Sequence, residues 1–219
     1  MRTLRILLFI CVFKLAAADP LLAQYEIHCR LISDINEHIP RLRELASECS
    51  SVVEIGTRGL VSTWGFLQGL AESKSKDRSY IGIDLNAPPK DKLSFVSRLA
   101  KEKGISFRFW EANDFLIDIA PVDLLFIDSW HTYRHLTYEL EKFSPKVQKY
   151  IAMHDTSEPW GHQDEGLYCG FVPDYPAHIN REKKGLWPAV VDFLKTHPEW
   201  TLKERRLNNH GLTVLERKR

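Results

Sequence analysis

Short apolar segments alternate with segments of helical spacing along most of this sequence. The apolar segments are rich in β-branched and aromatic residues, and they occupy positions 51–55, 80–84, 106–111, 122–128, 150–154, 200–205 and 212–216. Helical spacing occurs in 23–48, where Pro40 predicts a break, and in 62–72, 93–103, 132–147 and 187–195. Strands that alternate with helices in this way predict βαβ units and parallel pairing. We therefore predict an α/β fold, a Rossmann-like, doubly wound, mostly parallel seven-stranded sheet with helices on both faces.

Composition narrows the kind of partner that such a domain binds. The 219 residues are enough to bury a full hydrophobic core without metal or disulfide staples. Lys and Arg number 30 against 29 Asp and Glu, so the net charge is only +1. A nucleic-acid site requires a clustered basic excess, which this balance does not supply. We expect a small-molecule partner and no nucleic acid.

The amino-terminal residues 1–18 have the pattern of a secretory signal. Arg2 and Arg5 precede an apolar run over 6–13, and three alanines follow the run. The run is shorter than the roughly 20 apolar residues that span a membrane, so we expect no stable membrane span. The alternative is an amino-terminal helix packed on the domain. Cleavage predicts a secreted or periplasmic protein and retention predicts a cytoplasmic one; in both cases residues 19–219 are expected to form a single domain.

The turn after the first predicted strand has the residues of a ligand-binding loop. Ligands of doubly wound sheets bind outside the carboxyl ends of the strands. The candidates at this end of the first strand are Glu54, Gly56, Thr57, Gly59, Ser62 and Thr63. Glycines allow a ligand to approach the backbone closely, and the helix amino terminus offers free N–H groups. Glycines are also common in such turns without any ligand, so this motif alone is a weak signal.

Polar residues also follow the second and third predicted strands. Asp84 ends the second strand, where a carboxylate either accepts both hydroxyls of a ribose or caps the next helix. Asn113 and Asp114 follow the third strand, where they either contact an adenine edge or form an ordinary turn. The residues alone leave both interpretations open.

Acids and imidazoles end the fourth and fifth predicted strands. Asp128 and His131 lie three residues apart after the fourth strand, and His154 and Asp155 end the fifth. Carboxylate oxygens suit Mg²⁺, Mn²⁺ or Ca²⁺, and imidazole also accepts Mn²⁺, Fe²⁺ or Zn²⁺. Polar groups that arrive together at two strand ends favour a metal site. The alternative is a set of helix caps with a hydrogen-bonded histidine.

At these residues the sequence resembles the class I S-adenosylmethionine-dependent methyltransferases. Within them it is similar to the branch of macrocin-type sugar O-methyltransferases and cephalosporin hydroxylase-like proteins. The resemblance covers about residues 48–216. It rests on the motifs VVEIGTRGLVSTW and YIGIDL, on the pair IDSWHTY and MHDT, and on the tail segments GLWPAV and NNHGLTVL.

The resemblance implies an enzyme with S-adenosylmethionine as cofactor. It assigns Glu54, Gly56 and Gly59 to the methionine side of that cofactor, Asp84 to its ribose, and Asn113 and Asp114 to its adenine. It further implies a divalent cation, Mg²⁺ or Mn²⁺ before Fe²⁺, on Asp128 and Asp155, with His131 as the base. His154 stands where the branch usually has Glu, and we count it among the cation ligands. The expected reaction is metal-assisted O-methylation of a small hydroxylated acceptor, sugar-like or phenolic.

Two other functions are compatible with the same residues. His131, His154 and Asp155 are a set that holds Fe²⁺ in hydroxylases, although the cofactor loop would then lack a purpose. The signal-like amino terminus also allows a non-catalytic secreted binding module on this fold, since a fold does not guarantee an activity. For an enzyme, we expect the polar segment 155–184 to cover the acceptor. The aromatic residues expected at the site are Trp64, Trp130, Trp160, Tyr168, Phe171 and Tyr175.

Overall fold

The computed structural model describes residues 19–166 and 173–218. The predicted signal segment 1–18, together with Tyr168 and Phe171, therefore lies outside the described residues. The helices are α1 (Pro20–Arg30), α2 (Ile39–Ser47), α3 (Thr63–Glu72), α4 (Lys90–Glu102), α5 (Tyr133–Phe143) and α6 (Leu186–Thr196). The strands are β1 (Ser51–Ile55), β2 (Arg78–Asp84), β3 (Ile105–Glu111), β4 (Val122–Ile127), β5 (Val147–His154), β6 (Trp200–Arg206) and β7 (Leu212–Arg217).

The seven strands form one sheet with the order β3-β2-β1-β4-β5-β7-β6. Neighbours from β3 to β5 run parallel, and β7 lies antiparallel between β5 and β6. This arrangement confirms the predicted mostly parallel, doubly wound sheet. The chain leaves the centre in one direction from β1 to β3 and in the other from β4 onward, so the loops after β1 and β4 separate and open a crevice between them.

Helices cover both faces of the sheet, as predicted. Residues of α1 to α4 pack with one set of strand side chains, including Val52 of β1 and Phe126 of β4. Residues of α5 and α6 pack with the opposite set, including Val53 and Ile127. The buried pattern of β1 and β4 is nearly continuous because both faces are covered. None of the described helices has the length and apolar character needed to cross a membrane.

Two prolines place helix ends differently from the sequence-based prediction. Pro40 lies in the first turn of α2, where its missing N–H costs nothing, so it begins a helix rather than breaking one. The helix predicted over 132–147 ends at Phe143, and Pro145 lies in the short 3₁₀ turn that follows. Pro145 has no backbone N–H to continue the α-helical hydrogen-bond ladder, which explains the earlier end.

Candidate functional site

A cavity of about 560 Å³ lies at the carboxyl ends of the central strands, a volume typical of small-molecule sites. It borders the crevice between β1 and β4, the usual ligand position in a doubly wound sheet. The predicted site residues that line it are Gly56, Thr57, Gly59, Ser62, Asp84, Asn113, Asp114, Asp128, His131 and Asp155. Glu54, Thr63 and His154 are buried and do not line it.

Gly56 and Asp84 shape the loop between β1 and α3. Gly56 has a φ of +83°, and a Cβ there would lie 1.9 Å from the carbonyl oxygen of Asp128, so only glycine fits. The Asp84 carboxylate accepts hydrogen bonds from the backbone N–H of Thr57 at 2.9 Å and of Arg58 at 2.7 Å. Asp84 thus fixes the loop and still borders the cavity.

Glu54 supports this loop from beneath. Its carboxylate is fully buried and accepts hydrogen bonds from the hydroxyls of Ser62, Thr63 and Tyr80. Burial raises the pKa of Glu54 to about 7, although the three hydroxyl donors oppose that rise. The contacts of Glu54 and Thr63 therefore stabilise the loop and the start of α3, and neither residue lines the cavity.

The residues after β3 belong to a buried hydrogen-bond network. We call Asp114, His135 and Glu139 the Asp114 cluster; their ligand atoms lie within 4.8 Å of one another. His135 Nε2 lies 2.8 Å from Asp114 Oδ2, and His135 Nδ1 lies 2.9 Å from the hydroxyl of Tyr175. Glu139 accepts a hydrogen bond of 2.8 Å from Ser129. Tyr175, expected to face an acceptor, is buried in this network instead.

Four side chains meet at the carboxyl ends of β4 and β5; we call Asp128, His131, His154 and Asp155 the Asp128 cluster. His131 Nε2 lies 3.1 Å from Asp155 Oδ2 and 3.5 Å from Asp128 Oδ1. His154 Nδ1 lies 3.1 Å from the same Asp155 oxygen and 3.4 Å from the same Asp128 oxygen. Ligand atoms of Asp128, His131 and Asp155 lie within 4.8 Å of one another, close enough to share a metal ion.

Each imidazole of the Asp128 cluster has an oxygen atom close to the ring nitrogen that faces away from the two aspartates. His154 Nε2 lies 3.0 Å from the carbonyl oxygen of Asp34 and 3.1 Å from that of Asn209, so Nε2 carries a proton and donates it. His131 Nδ1 lies 3.1 Å from Glu165 Oε2. Neither buried nitrogen of His131 makes a hydrogen bond of good geometry. The near nitrogens of both imidazoles are thus directed at the two carboxylates.

Opposite charges dominate the electrostatics of the Asp128 cluster. Burial alone would raise the pKa values of Asp128 and Asp155, but the facing imidazoles outweigh it and lower both. Burial alone would lower the pKa values of the imidazoles, but the carboxylates raise that of His131 to about 12 and that of His154 to about 10. Without another cation, the two aspartates therefore hold both histidines in the charged form.

Strained backbone surrounds the Asp128 cluster. Asp155 has a φ of +56°, and Asn209 and His210 in the turn between β6 and β7 have φ values of +47° and +64°. His210 lines the cavity with its Nδ1 3.9 Å from Asp155 Oδ1. Non-glycine residues in the left-handed region cost free energy and concentrate at functional sites. These left-handed residues all lie at the carboxyl end of the sheet, beside the Asp128 cluster.

Several residues on the cavity wall were not predicted from the sequence. Asp34 and Arg58 form an ion pair of 2.7 Å and both border the cavity, as does His210. Glu165, which holds His131, also borders it. In the sequence, Glu165 is one of several acidic residues in the polar segment 155–184. No sequence pattern marks Asp34 or Arg58 as a site residue.

The segment that carries Glu165 is tied to the start of α5. Glu165 N donates a hydrogen bond of 2.8 Å to the carbonyl oxygen of His131. Asp164 Oδ1 accepts from the N–H of Tyr133 at 2.8 Å and from that of Gly185 at 2.9 Å. These bonds fix Glu165 beside the imidazole rather than leaving it on a solvated loop.

The tryptophans divide between the cavity and the core. Trp130 and Trp160 border the cavity, as the sequence predicts, and the ring of Trp160 stacks on His131 with centroids 5.9 Å apart. The same prediction is wrong for Trp64, which is 1% exposed and packs against His28 and Phe95. Trp64 lies on α3, whose face is covered by the other helices.

Neither a scan against protein-family models nor a search of curated proteins finds a match to this chain. Solved structures do match. An O-methyltransferase from Bacillus cereus in complex with SAH has a TM-score of 0.56 at 13% identity, with 94% of each chain covered. TomG, an O-methyltransferase from Streptomyces achromogenes in complex with SAM, has a TM-score of 0.53 at 16% identity, covering 94% of this chain and 93% of its own.

An SAH-bound methyltransferase from Podospora anserina gives a TM-score of 0.53 at 16% identity, covering 93% of this chain and 89% of its own. The similarity extends over nearly the whole length of each chain, so it is not confined to a single βαβ unit. At these identities it concerns the fold alone. The chain has the fold that these three methyltransferases share.

Proposed function

We propose that this protein is an enzyme that transfers a methyl group from S-adenosylmethionine to a hydroxyl oxygen of a small acceptor. The observation that carries the proposal is one cavity bordered both by the Gly56–Asp84 loop and by the Asp128 cluster. When bound, the cofactor supplies the methyl group as an electrophilic sulfonium methyl. Such a transfer requires little covalent help, so positioning by the chain's own residues would provide most of the rate.

The cofactor would lie along the carboxyl ends of β1 to β3. Gly56, Thr57, Gly59 and Ser62 would border its amino-acid end, where the loop backbone approaches the cavity. Asp84 Oδ1 accepts from the backbone N–H of Asn86 at 3.0 Å and would also accept from a ribose hydroxyl, and Asn113 with Asp114 would border the adenine. The SAM and SAH complexes of the solved neighbours support the same ligand class. Glu54 and Thr63 would act from below by stabilising the loop.

The Asp128 cluster fits a divalent cation. Two carboxylates and an imidazole converge there, and the nitrogens of His131 are buried without a well-formed hydrogen bond. Asp128, His154 and Asp155 would hold the ion, with Mg²⁺ or Mn²⁺ suited to the carboxylates. A cation there would lower the pKa of an acceptor hydroxyl and fix its direction.

His131 would accept the proton of the acceptor hydroxyl. Its Nε2 faces the cluster, and Glu165 at 3.1 Å from Nδ1 orients the ring. The carboxylates of Asp128 and Asp155 otherwise keep the imidazole charged, as its raised pKa indicates. His131 therefore accepts a proton only when their charge is balanced by another cation, which links the base to the cation site.

The acceptor would be a small hydroxylated molecule, sugar-like or phenolic. The wall near the Asp128 cluster combines the flat ring of Trp160 with polar groups of Asp34, Arg58 and His210. Aromatic rings stack on sugars and phenols alike, and the polar groups supply hydrogen bonds to hydroxyls.

Isothermal titration calorimetry with S-adenosylmethionine and S-adenosylhomocysteine tests the proposal. We expect both to bind at sub-millimolar concentration, and Asp84→Asn to weaken both about 10-fold, the effect of hydrogen bonds to a charged group. Asp123→Asn is a suitable control, because Asp123 bonds Ser50 at the opposite end of the sheet.

Absence of binding of either compound by the wild-type protein would overturn the proposal. In that case, stoichiometric iron in anaerobically purified protein with turnover of 2-oxoglutarate would indicate a hydroxylase. Absence of both would favour a non-catalytic binding module.

A further inference from the structure

We propose that the Asp128 cluster selects a transition-metal ion, such as Mn²⁺, Fe²⁺, Co²⁺ or Zn²⁺, over Mg²⁺ and Ca²⁺. The inference rests on the divalent cation of the proposed function and specifies its chemical class. Its basis is the nitrogen ligand that His154 presents beside two carboxylates. Imidazole is a poor ligand for the hard ions Mg²⁺ and Ca²⁺, whereas first-row transition ions accept it readily.

The hydrogen bonds of His154 determine which nitrogen faces the ion. Nε2 lies between the carbonyl oxygens of Asp34 and Asn209, which only accept, so the ring proton resides on Nε2. In the neutral ring Nδ1 then has a lone pair, and it is directed at Asp128 and Asp155 at 3.4 and 3.1 Å. Metal-bound imidazoles typically donate the far N–H to a backbone carbonyl in this way.

A neutral His154 without an ion would be unfavourable in this position. The Nδ1 lone pair would face two carboxylate oxygens inside a site where His154 is 1% exposed. Only a proton or a metal ion between these groups relieves that repulsion. A metal ion that replaces the proton must therefore bind nitrogen as well as oxygen.

Burial adds a second reason to disfavour Mg²⁺. His154 and Asp155 are 1% and 6% exposed, so on their side an ion would be in contact with protein rather than water. Mg²⁺ gives up its water reluctantly and usually keeps several molecules in protein sites. Neither argument depends on whether His131 acts as base or ligand.

Competition with Mn²⁺ tests the selectivity on the wild-type protein. Bound Mn²⁺ is measured from the loss of the free-ion signal in electron paramagnetic resonance, while Mg²⁺, Ca²⁺, Co²⁺ or Zn²⁺ is added. Following the order of ligand preference, we expect Co²⁺ and Zn²⁺ to displace Mn²⁺ at about equal concentration and Mg²⁺ to fail at about tenfold excess. Displacement by Mg²⁺ at equal concentration would overturn the inference.

His154→Gln and His38→Gln form a matched pair for the role of Nδ1. His38 is also buried and its Nε2 contacts the carbonyls of Asn208 and Asn209 at 3.0 and 3.2 Å. Of these two histidines, only His154 lies within ion-pair distance of Asp128 and Asp155. We expect His154→Gln to weaken Mn²⁺ by about 10- to 100-fold and Mg²⁺ much less, with His38→Gln close to wild type.

Circular dichroism of both variants establishes that they fold; if His154→Gln does not, the wild-type competition decides alone. Equal Mn²⁺ affinity in folded His154→Gln and wild type would contradict the inference. If the wild-type protein binds S-adenosylmethionine but binds none of the divalent ions, the metal class is refuted and methyl transfer is left intact. Selective Mn²⁺ binding without S-adenosylmethionine binding would do the reverse.

Discussion

The Asp128 cluster and the Asp114 cluster contain the same kinds of side chain but differ in how their hydrogen bonds are completed. Each cluster contains a histidine beside two carboxyl groups, and the ligand atoms of these three residues lie within 4.8 Å of one another. His131 and His135 lie one helical turn apart in sequence. Both nitrogens of His135 have partners, at 2.8 and 2.9 Å, whereas both nitrogens of His131 are buried without a well-formed hydrogen bond.

Glu139 is the buried carboxyl group of the Asp114 cluster whose pKa is shifted most clearly upward. Burial and the neighbouring charge of Asp114 hold the pKa of Glu139 well above its usual value. Its Oε1 accepts a hydrogen bond of 2.8 Å from Ser129, and its Oε2 lies buried without a hydrogen-bond partner. The two clusters therefore differ in their imidazoles: both nitrogens of His135 have hydrogen-bond partners, and neither nitrogen of His131 does.

Removal of the imidazole at residue 131 has the largest expected effect. His131→Ala should lower methyl transfer to an acceptor that the wild-type protein uses by about 10²- to 10⁴-fold, the usual contribution of a general base. Binding of Mn²⁺ and S-adenosylmethionine, measured by calorimetry, should remain nearly unchanged. A large loss of Mn²⁺ affinity would instead make His131 a ligand. His135→Ala, one turn further, should leave the turnover of folded protein nearly unchanged.

Neutralising the aspartates tests which cluster holds the cation. Asp128→Asn and Asp155→Asn keep the shape but remove the charge, so Mn²⁺ affinity should fall at least about 100-fold, more than the loss of an outer partner. Asp114→Asn should leave Mn²⁺ affinity unchanged, because its cluster needs no ion. S-adenosylmethionine affinity should change much less than Mn²⁺ affinity in the Asp128 and Asp155 variants. Equal Mn²⁺ binding in all four proteins, or in none, would remove the metal site.

Removal of the imidazole from the Asp114 cluster should lower the free energy of unfolding and leave Mn²⁺ affinity unchanged. His135→Ala leaves Asp114 and the Tyr175 hydroxyl without their partner in a buried setting. Each unsatisfied buried group costs about 1–3 kcal/mol, so urea denaturation should show a loss of that order in the free energy of unfolding. An unchanged free energy of unfolding in folded His135→Ala would contradict the contribution of these hydrogen bonds.

The fold was predictable because its signals are local in sequence. The predicted strand 51–55 is the observed β1, and Asp84 ends β2 as expected. β5 begins at Val147 rather than at residue 150. The prediction missed its first residues because two consecutive polar residues, Gln148 and Lys149, interrupt the apolar pattern. Such boundaries depend on pairing with neighbouring strands, which hydrophobic periodicity does not encode.

Of the candidate site, only the residues that directly follow a strand were predictable from the sequence. Asp128 and Asp155 follow buried strands directly, so the sequence alone located them. Glu165 reaches His131 from a loop 34 residues away, a contact that only tertiary folding creates. The orientation of His154 depends on backbone carbonyls of residues 34 and 209, and a carbonyl has no signature in the sequence.

The smallest expected effect concerns the proton on Glu139. Because its folded-state pKa is raised above the ordinary value of 4.5, the folded protein keeps a proton that the unfolded chain loses as pH rises. Its contribution to stability is therefore full below about pH 4.5 and declines as pH increases above that value. Glu139→Gln cannot ionise, and its amide oxygen keeps the acceptor for Ser129.

Glu139→Gln should accordingly unfold within about 1 kcal/mol of wild type near pH 5, since its hydrogen bonds are the same in number. Toward pH 8 its free energy of unfolding should decline less steeply than that of wild type, as measured by urea denaturation across pH. Asp118→Asn is the matched control, because Asp118 lies exposed beside Lys146. Parallel pH profiles for wild type and Glu139→Gln would mean that Glu139 is ionised in the folded protein. The Asp114 cluster would then contain an uncompensated charge, and it would become a second candidate for a cation.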